Sequence, residues 1–151
     1  GTLDLLLRLV PCNVSDPYQQ WTGPVLHGTP HALENAGSKS CLSESTELPA
    51  EVVGLSLAAC GENSSAFMLR AHSGEIVHVS SGRCLEAAYE RGVQGVYFVF
   101  NSCYSSDSPR YADQRFAANA TSGLLHSVSL PGYCMQADPF ELPRLQIQPG
   151  A

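Results

Sequence analysis

The chain has 151 residues, 44% of them hydrophobic and only 15% charged, with 13 glycines and 10 prolines. That suffices for one domain with its own core, and carries too much turn chemistry for a coiled coil, a helical bundle or a disordered segment. A formal charge of -6 and a sequence pI near 5.2 leave no basic stripe to neutralise phosphates, so nucleic acid and anionic membranes are not expected partners.

In chain order, the apolar stretch Leu5 to Val10 is broken by Arg8 and flanked by Asp4, so it reads as a strand. No run is long enough for a membrane span. The opening residues lack the basic, apolar and small-residue succession of a signal peptide, which is therefore absent, removed or upstream. Further strands are expected at Val52 to Leu57, Ile76 to Val79, Val96 to Phe100 and Leu124 to Leu130, separated by Gly, Pro, Asn and Ser clusters. Three triplets, Val25-Leu26-His27, Ile76-Val77-His78 and Leu124-Leu125-His126, align behind the turn glycines Gly23, Gly74 and Gly123. The predicted class is all-β, in many short strands.

The six cysteines repeat with the same punctuation. Cys41-Leu42 leads to Cys60 and Phe67, and Cys84-Leu85 leads to Cys103 and Phe116. The third copy is cut open, with Cys134-Met135 near one end and Cys12 and Trp21 near the other. A self-similar period of this size marks units that bury a face only by stacking on their neighbours. An even cysteine count predicts three disulfides and an oxidising compartment. The repeat pairs Cys41 with Cys60, Cys84 with Cys103, and Cys12 with Cys134. A zinc site of the Cys-x-x-Cys kind is excluded because no such close pair exists. The repeats are expected at 23–71 and 72–121, with the split one at 1–22 plus 122–151. Asn13, Asn63 and Asn119 head acceptor sequons for N-glycosylation, so a secreted, extracellular or lumenal (including lysosomal) glycoprotein is expected.

Gly74-Glu75-Ile76, Gly82-Arg83-Cys84-Leu85, Val96 to Phe100, Cys103 and Gln114-Arg115-Phe116 together resemble one repeat of the ricin-type β-trefoil lectins. The Q-x-W signature of that family stands intact at Gln19-Gln20-Trp21, survives as Gln114-Arg115-Phe116 and has decayed to Ser65-Ala66-Phe67. The resemblance covers nearly the whole chain. It implies a β-trefoil of three four-stranded repeats with pseudo-threefold symmetry, permuted so that the ends complete one repeat. It also implies a module of a larger protein, joined to a glycoside hydrolase as a covalently linked catalytic domain.

Members of that family hold galactose-like sugars with an Asp two positions after the first cysteine. An aromatic platform two positions before the second cysteine and an Asn-Gln pair ahead of the tryptophan complete the set. Here the Asp position holds Ser43, Glu86 and Gln136, the platform position Ala58, Asn101 and Val10, and the Asn position Ser64, Asp113 and Tyr18. The resemblance therefore nominates Glu86, Asn101, Asp113 and Gln114 as sugar-binding in the third repeat. It nominates Gln136, Asp138, Tyr18 and Gln20 in the split one, with Tyr89, Tyr97 or Tyr18 as a displaced aromatic. A scaffold without sugar affinity, serving structure or protein interaction, is the alternative.

His27, His78 and His126, if related by the pseudo-threefold axis, would be placed to converge on a metal, or else pack as ordinary strand histidines. The latter is expected, so no metal and no cofactor is assigned. Carboxylates are scattered (Asp4, Asp16, Glu34, Glu62, Glu75, Asp107), and no serine sits in a Gly-x-Ser-x-Gly elbow. The chain alone is expected to be non-catalytic, a binder of glycans, galactose-containing ones among them.

Overall fold

The structure is a computed structural model that describes residues 7–23, 30–45, 54–61, 64–70, 72–89 and 96–137. Among them are twelve strands: β1 (Leu7–Pro11), β2 (Trp21–Thr22), β3 (Glu34–Asn35), β4 (Ser40–Ser45), β5 (Gly54–Ala59), β6 (Phe67–Leu69), β7 (Ile76–His78), β8 (Arg83–Tyr89), β9 (Val96–Asn101), β10 (Phe116–Ala118), β11 (Leu125–Ser127) and β12 (Tyr133–Ala137). They form three four-stranded sheets, in the orders β1-β12-β11-β10, β2-β3-β4-β5 and β6-β7-β8-β9, every pairing antiparallel. The first sheet joins the two ends of the chain: Leu7 to Pro11 run antiparallel to Tyr133 to Ala137.

Three disulfides brace the sheets, Cys12–Cys134, Cys41–Cys60 and Cys84–Cys103, as the cysteine repeat predicts. In each sheet the residue two before the second cysteine lies opposite the first: Val10 faces Cys134, Ala58 faces Cys41 and Asn101 faces Cys84. The sheets are out of phase with the expected repeat boundaries by one strand. The aromatic that closes each cysteine unit (Trp21, Phe67 or Phe116) opens the next sheet in the chain.

The reason lies in the core. Trp21, Phe67 and Phe116 are buried together with Leu42, Leu85, Met135 and Leu125 in one cluster drawn from all three sheets. Burying each such side chain contributes about 1.5–3 kcal/mol, and an aromatic handed from one sheet to the next ties the units to one another. The Trp21 indole also donates to the Met135 carbonyl at 3.1 Å, and Phe67 and Phe100 stack at 5.8 Å. β9 packs beside both β1 and β5, so the long hairpins of the three sheets meet.

Two expectations need correction. The apolar stretch Leu124 to Leu130 forms a strand only at Leu125–Ser127, because the Ser127 hydroxyl accepts the Leu130 N–H and turns the chain. The histidine alignment also fails. Val77 stands opposite Cys84, whereas in the first sheet it is His126 that stands opposite Cys134, so His78 and His126 are one residue out of register. A one-residue shift on a strand puts side chains on opposite faces. The residues equivalent to His78 are Asn35 and Ser127, and Val25-Leu26-His27 lies outside the described residues.

No helix among the described residues is long and apolar enough to cross a membrane. Three disulfides belong with an oxidising, non-cytosolic environment.

Candidate functional site

Just before two of the core aromatics the chain makes a 3-10 turn, Pro17–Gln19 ahead of Trp21 and Tyr111–Gln114 ahead of Phe116. Proline presets φ in the first turn, and the Asp16 carboxylate caps it by accepting the Tyr18 N–H at 2.9 Å. Each turn ends on the glutamine of the Q-x-W signature and aims it inward.

Gln114 accepts the Tyr104 N–H at 2.8 Å and donates to the Ser102 carbonyl at 2.8 Å, clasping the backbone on both sides of Cys103. Gln19 does the same around Cys12, accepting from Asn13 N–H at 2.8 Å and donating to the Pro11 carbonyl at 3.2 Å. Each amide reaches one further group, the side chain two residues after the first cysteine: Glu86 at 3.3 Å in one case, Gln136 at 3.2 Å in the other. In the remaining sheet, where the glutamine is replaced by Ser65, the Ser64 hydroxyl accepts the Gly61 N–H at 2.9 Å and keeps part of the clasp.

The third-repeat candidates converge. Glu86 and Gln114 are both fully buried, at 0% exposure. Glu86 accepts the Tyr104 phenol at 2.8 Å, pairs with the half-exposed Arg110 guanidinium and receives Gln114. Asn101 donates to the same phenol at 3.1 Å, and Arg110 lies 5.4 Å over the Tyr104 ring. Asp113, partly buried, stands 4.0 Å from Arg110. Burial and the Glu86 carboxylate push the Asp113 carboxyl up, against the pull of Arg110 and of a hydrogen bond with Ser129. Burial, then the hydrogen bond to Glu86, pushes the Tyr104 phenol up to about 12.

The surface above Glu86 is therefore made by Asn101, Tyr104, Arg110 and Asp113. Tyr104 and Arg110 were not among the sequence candidates. Tyr104 directly follows Cys103, a position with no motif of its own, and Arg110 pairs with Glu86 across a sequence separation of 24 residues that includes β9.

The split-repeat candidates do not converge in the same way. Gln136 is held by Gln19, but Gln20 turns away to donate to the Val14 carbonyl at 2.8 Å. Tyr18 lies on Gly37. Asp138 and the sequon residue Asn63 fall outside the described residues, as do the side chains of Tyr89 and Tyr97. Asn13 and Asn119 are exposed, and each accepts the N–H two residues on, from Ser15 at 3.0 Å and Thr121 at 2.9 Å.

The histidines serve separate tasks. His78 is buried between Phe67 and Phe100, with Nδ1 2.8 Å from the Ser81 hydroxyl, while His126 rests against the Cys12–Cys134 disulfide. No group of ligand atoms among the described residues unites the two. A separate cavity of about 410 Å³ lies between the first and third sheets, bordered by Leu69, His72, Arg115 and Val128. Comparison with protein-family models, curated proteins and solved structures found no match.

Proposed function

We propose that the chain is a non-catalytic recognition module, a β-trefoil of the ricin type. Its three sheets stand about a pseudo-threefold axis, and its third lobe takes carbohydrate. Support for the arrangement comes from the common strand order of the sheets, the shared place of their disulfides and the repeated glutamine clasp. The observation that carries the binding reading is the polar surface of Asn101, Tyr104, Arg110 and Asp113 above the buried Glu86. A guanidinium and a carboxylate side by side can donate to and accept from neighbouring sugar hydroxyls, and the phenol supplies ring area for the apolar side of a pyranose. A galactose-containing glycan is the proposed ligand class. A secreted or lumenal parent with a linked glycoside hydrolase domain is the proposed setting, since single sites of this kind gain from being tethered.

A second reading is favoured by a specific observation. Glu86 and Gln114 already spend their hydrogen bonds within the protein, as a purely structural network would, which suits a domain for protein interaction without sugar affinity.

NMR titration with galactose and a glycan array separate the two. Sugar at tens of millimolar, roughly tenfold or more above a millimolar dissociation constant, is expected to shift the resonances of Asn101, Tyr104, Arg110 and Asp113. Resonances that stay still there, with no glycan retained on the array, would leave the structural reading standing.

A further inference from the structure

Each disulfide stands beside one more side chain able to ligate a metal: His126 beside Cys12–Cys134, Glu34 beside Cys41–Cys60, and Glu75 beside Cys84–Cys103. The ligand atoms of each trio lie within 4.8 Å of one another. The three trios differ in chemistry. Glu75 is committed, accepting the Ser73 hydroxyl and pairing with Arg70 at 3.5 Å. Glu34 offers a hard carboxylate oxygen, whereas thiolates select softer cations that also favour imidazole.

His126 is placed differently. Its Nδ1 lies 3.6 Å from the Cys12 sulfur and 3.5 Å from the Cys134 sulfur. A nitrogen and a sulfur bound to one tetrahedral zinc, at about 2.1 and about 2.3 Å, are separated by about 3.6 Å. The imidazole thus already stands where a zinc ligand would stand relative to both sulfurs. Its place is fixed by the ladder, since His126 sits directly opposite Cys134.

We propose that the clasp joining the chain ends is a redox-gated metal site, in which Cys12, Cys134 and His126 bind one zinc ion once the disulfide is reduced. A phosphine or dithiol reductant supplies two electrons and leaves as the phosphine oxide, taking oxygen from water, or as the cyclic disulfide. Two protons complete the thiols. Zinc then displaces both thiol protons to solvent, its two charges are cancelled by two thiolates, and His126 ligates through Nδ1 while Nε2 keeps its proton. The fourth tetrahedral position is left to water or a small ligand. The sulfurs need part only to about 3.8 Å, a rotation of two side chains. The five-residue β1–β12 pairing and the bond from Cys12 N–H to the Gly132 carbonyl at 3.0 Å hold the backbone on both sides.

Cobalt(II) added to the full chain reduced with a phosphine tests this. One equivalent is expected to bind with thiolate-to-cobalt charge-transfer absorption and tetrahedral visible bands, to be displaced by zinc, and to be refused by the oxidised protein. His126→Ala is expected to weaken it at least about tenfold, with Glu34→Ala and Glu75→Ala unchanged. Because full reduction opens all three disulfides, alkylation and peptide mapping give a second readout: zinc is expected to shield Cys12 and Cys134 and leave the other four cysteines reactive. Equal affinity in His126→Ala, octahedral or absent cobalt binding, or protection spread evenly over six cysteines would overturn the proposal. A reduced chain that unfolds gives the even pattern and counts against it.

Discussion

Two residues before the first cysteine of each pair the backbone enters the left-handed region, with Lys39 at φ 59°, Gly82 at 73° and Gly132 at 87°. The turn is the same three times, and only two glycines advertised it in the sequence. Left-handed backbone costs an ordinary residue roughly 1–2 kcal/mol, part of which glycine returns through its freer unfolded state. Lys39→Gly is accordingly expected to raise stability by up to about 1 kcal/mol in denaturant unfolding. Gly82→Ala, whose new Cβ meets no atom within 4 Å, is expected to lower it by about 1 kcal/mol through the backbone alone. At Tyr104 the effect is electrostatic. An ordinary phenol titrates near 10, so between about 10 and 12 the unfolded chain gives up this proton while the folded one keeps it. The stabilisation is whole below pH 10 and is lost as pH rises through 12. Absorbance titration of tyrosinate is expected to show a late-ionising phenol that is lost in Tyr104→Phe and ionises earlier in Glu86→Gln.

Among the elements, the recurring device is the glutamine that closes each 3-10 turn. Its presence was legible as part of a Q-x-W signature, but its task was not. The resemblance nominates Gln114 and Glu86 for a sugar site, and in the structure the amide laces the backbone around Cys103 while the carboxylate lies buried beneath Arg110 and Tyr104. The partners that fix the amide are a backbone N–H and a backbone carbonyl, which carry no residue identity and so leave no trace in a motif. Gln114→Ala and Gln19→Ala each strip two main-chain groups of their partner, and each is expected to cost about 2–3 kcal/mol in thermal or denaturant unfolding. The clasps share no partner, so the double variant is expected to equal their sum within about 0.5 kcal/mol. The histidine misalignment has a similar root. Asn35, His78 and Ser127 all bond the residue three positions on, at Ser38, Ser81 and Leu130, and chemistry so varied at one position hides its equivalence.

For the molecule as a whole, the all-β class, the three disulfides and the joining of the chain ends were legible, because cysteine spacing and aromatic phase are covalent and core constraints repeated three times. Less legible was where one sheet stops and the next begins, since each core aromatic serves two units at once. The pairing of Leu7 to Pro11 with Tyr133 to Ala137 is the feature on which the equivalence of the first sheet with the other two rests. Tryptic peptide mapping without reduction tests it most directly. Cleavage after Arg8, Lys39, Arg115 and Arg144 places Cys12 and Cys134 on separate peptides, 9–39 and 116–144. Those two peptides are expected to emerge as one linked species that separates on reduction, and a 9–39 peptide joined to any other cysteine would contradict the shared sheet.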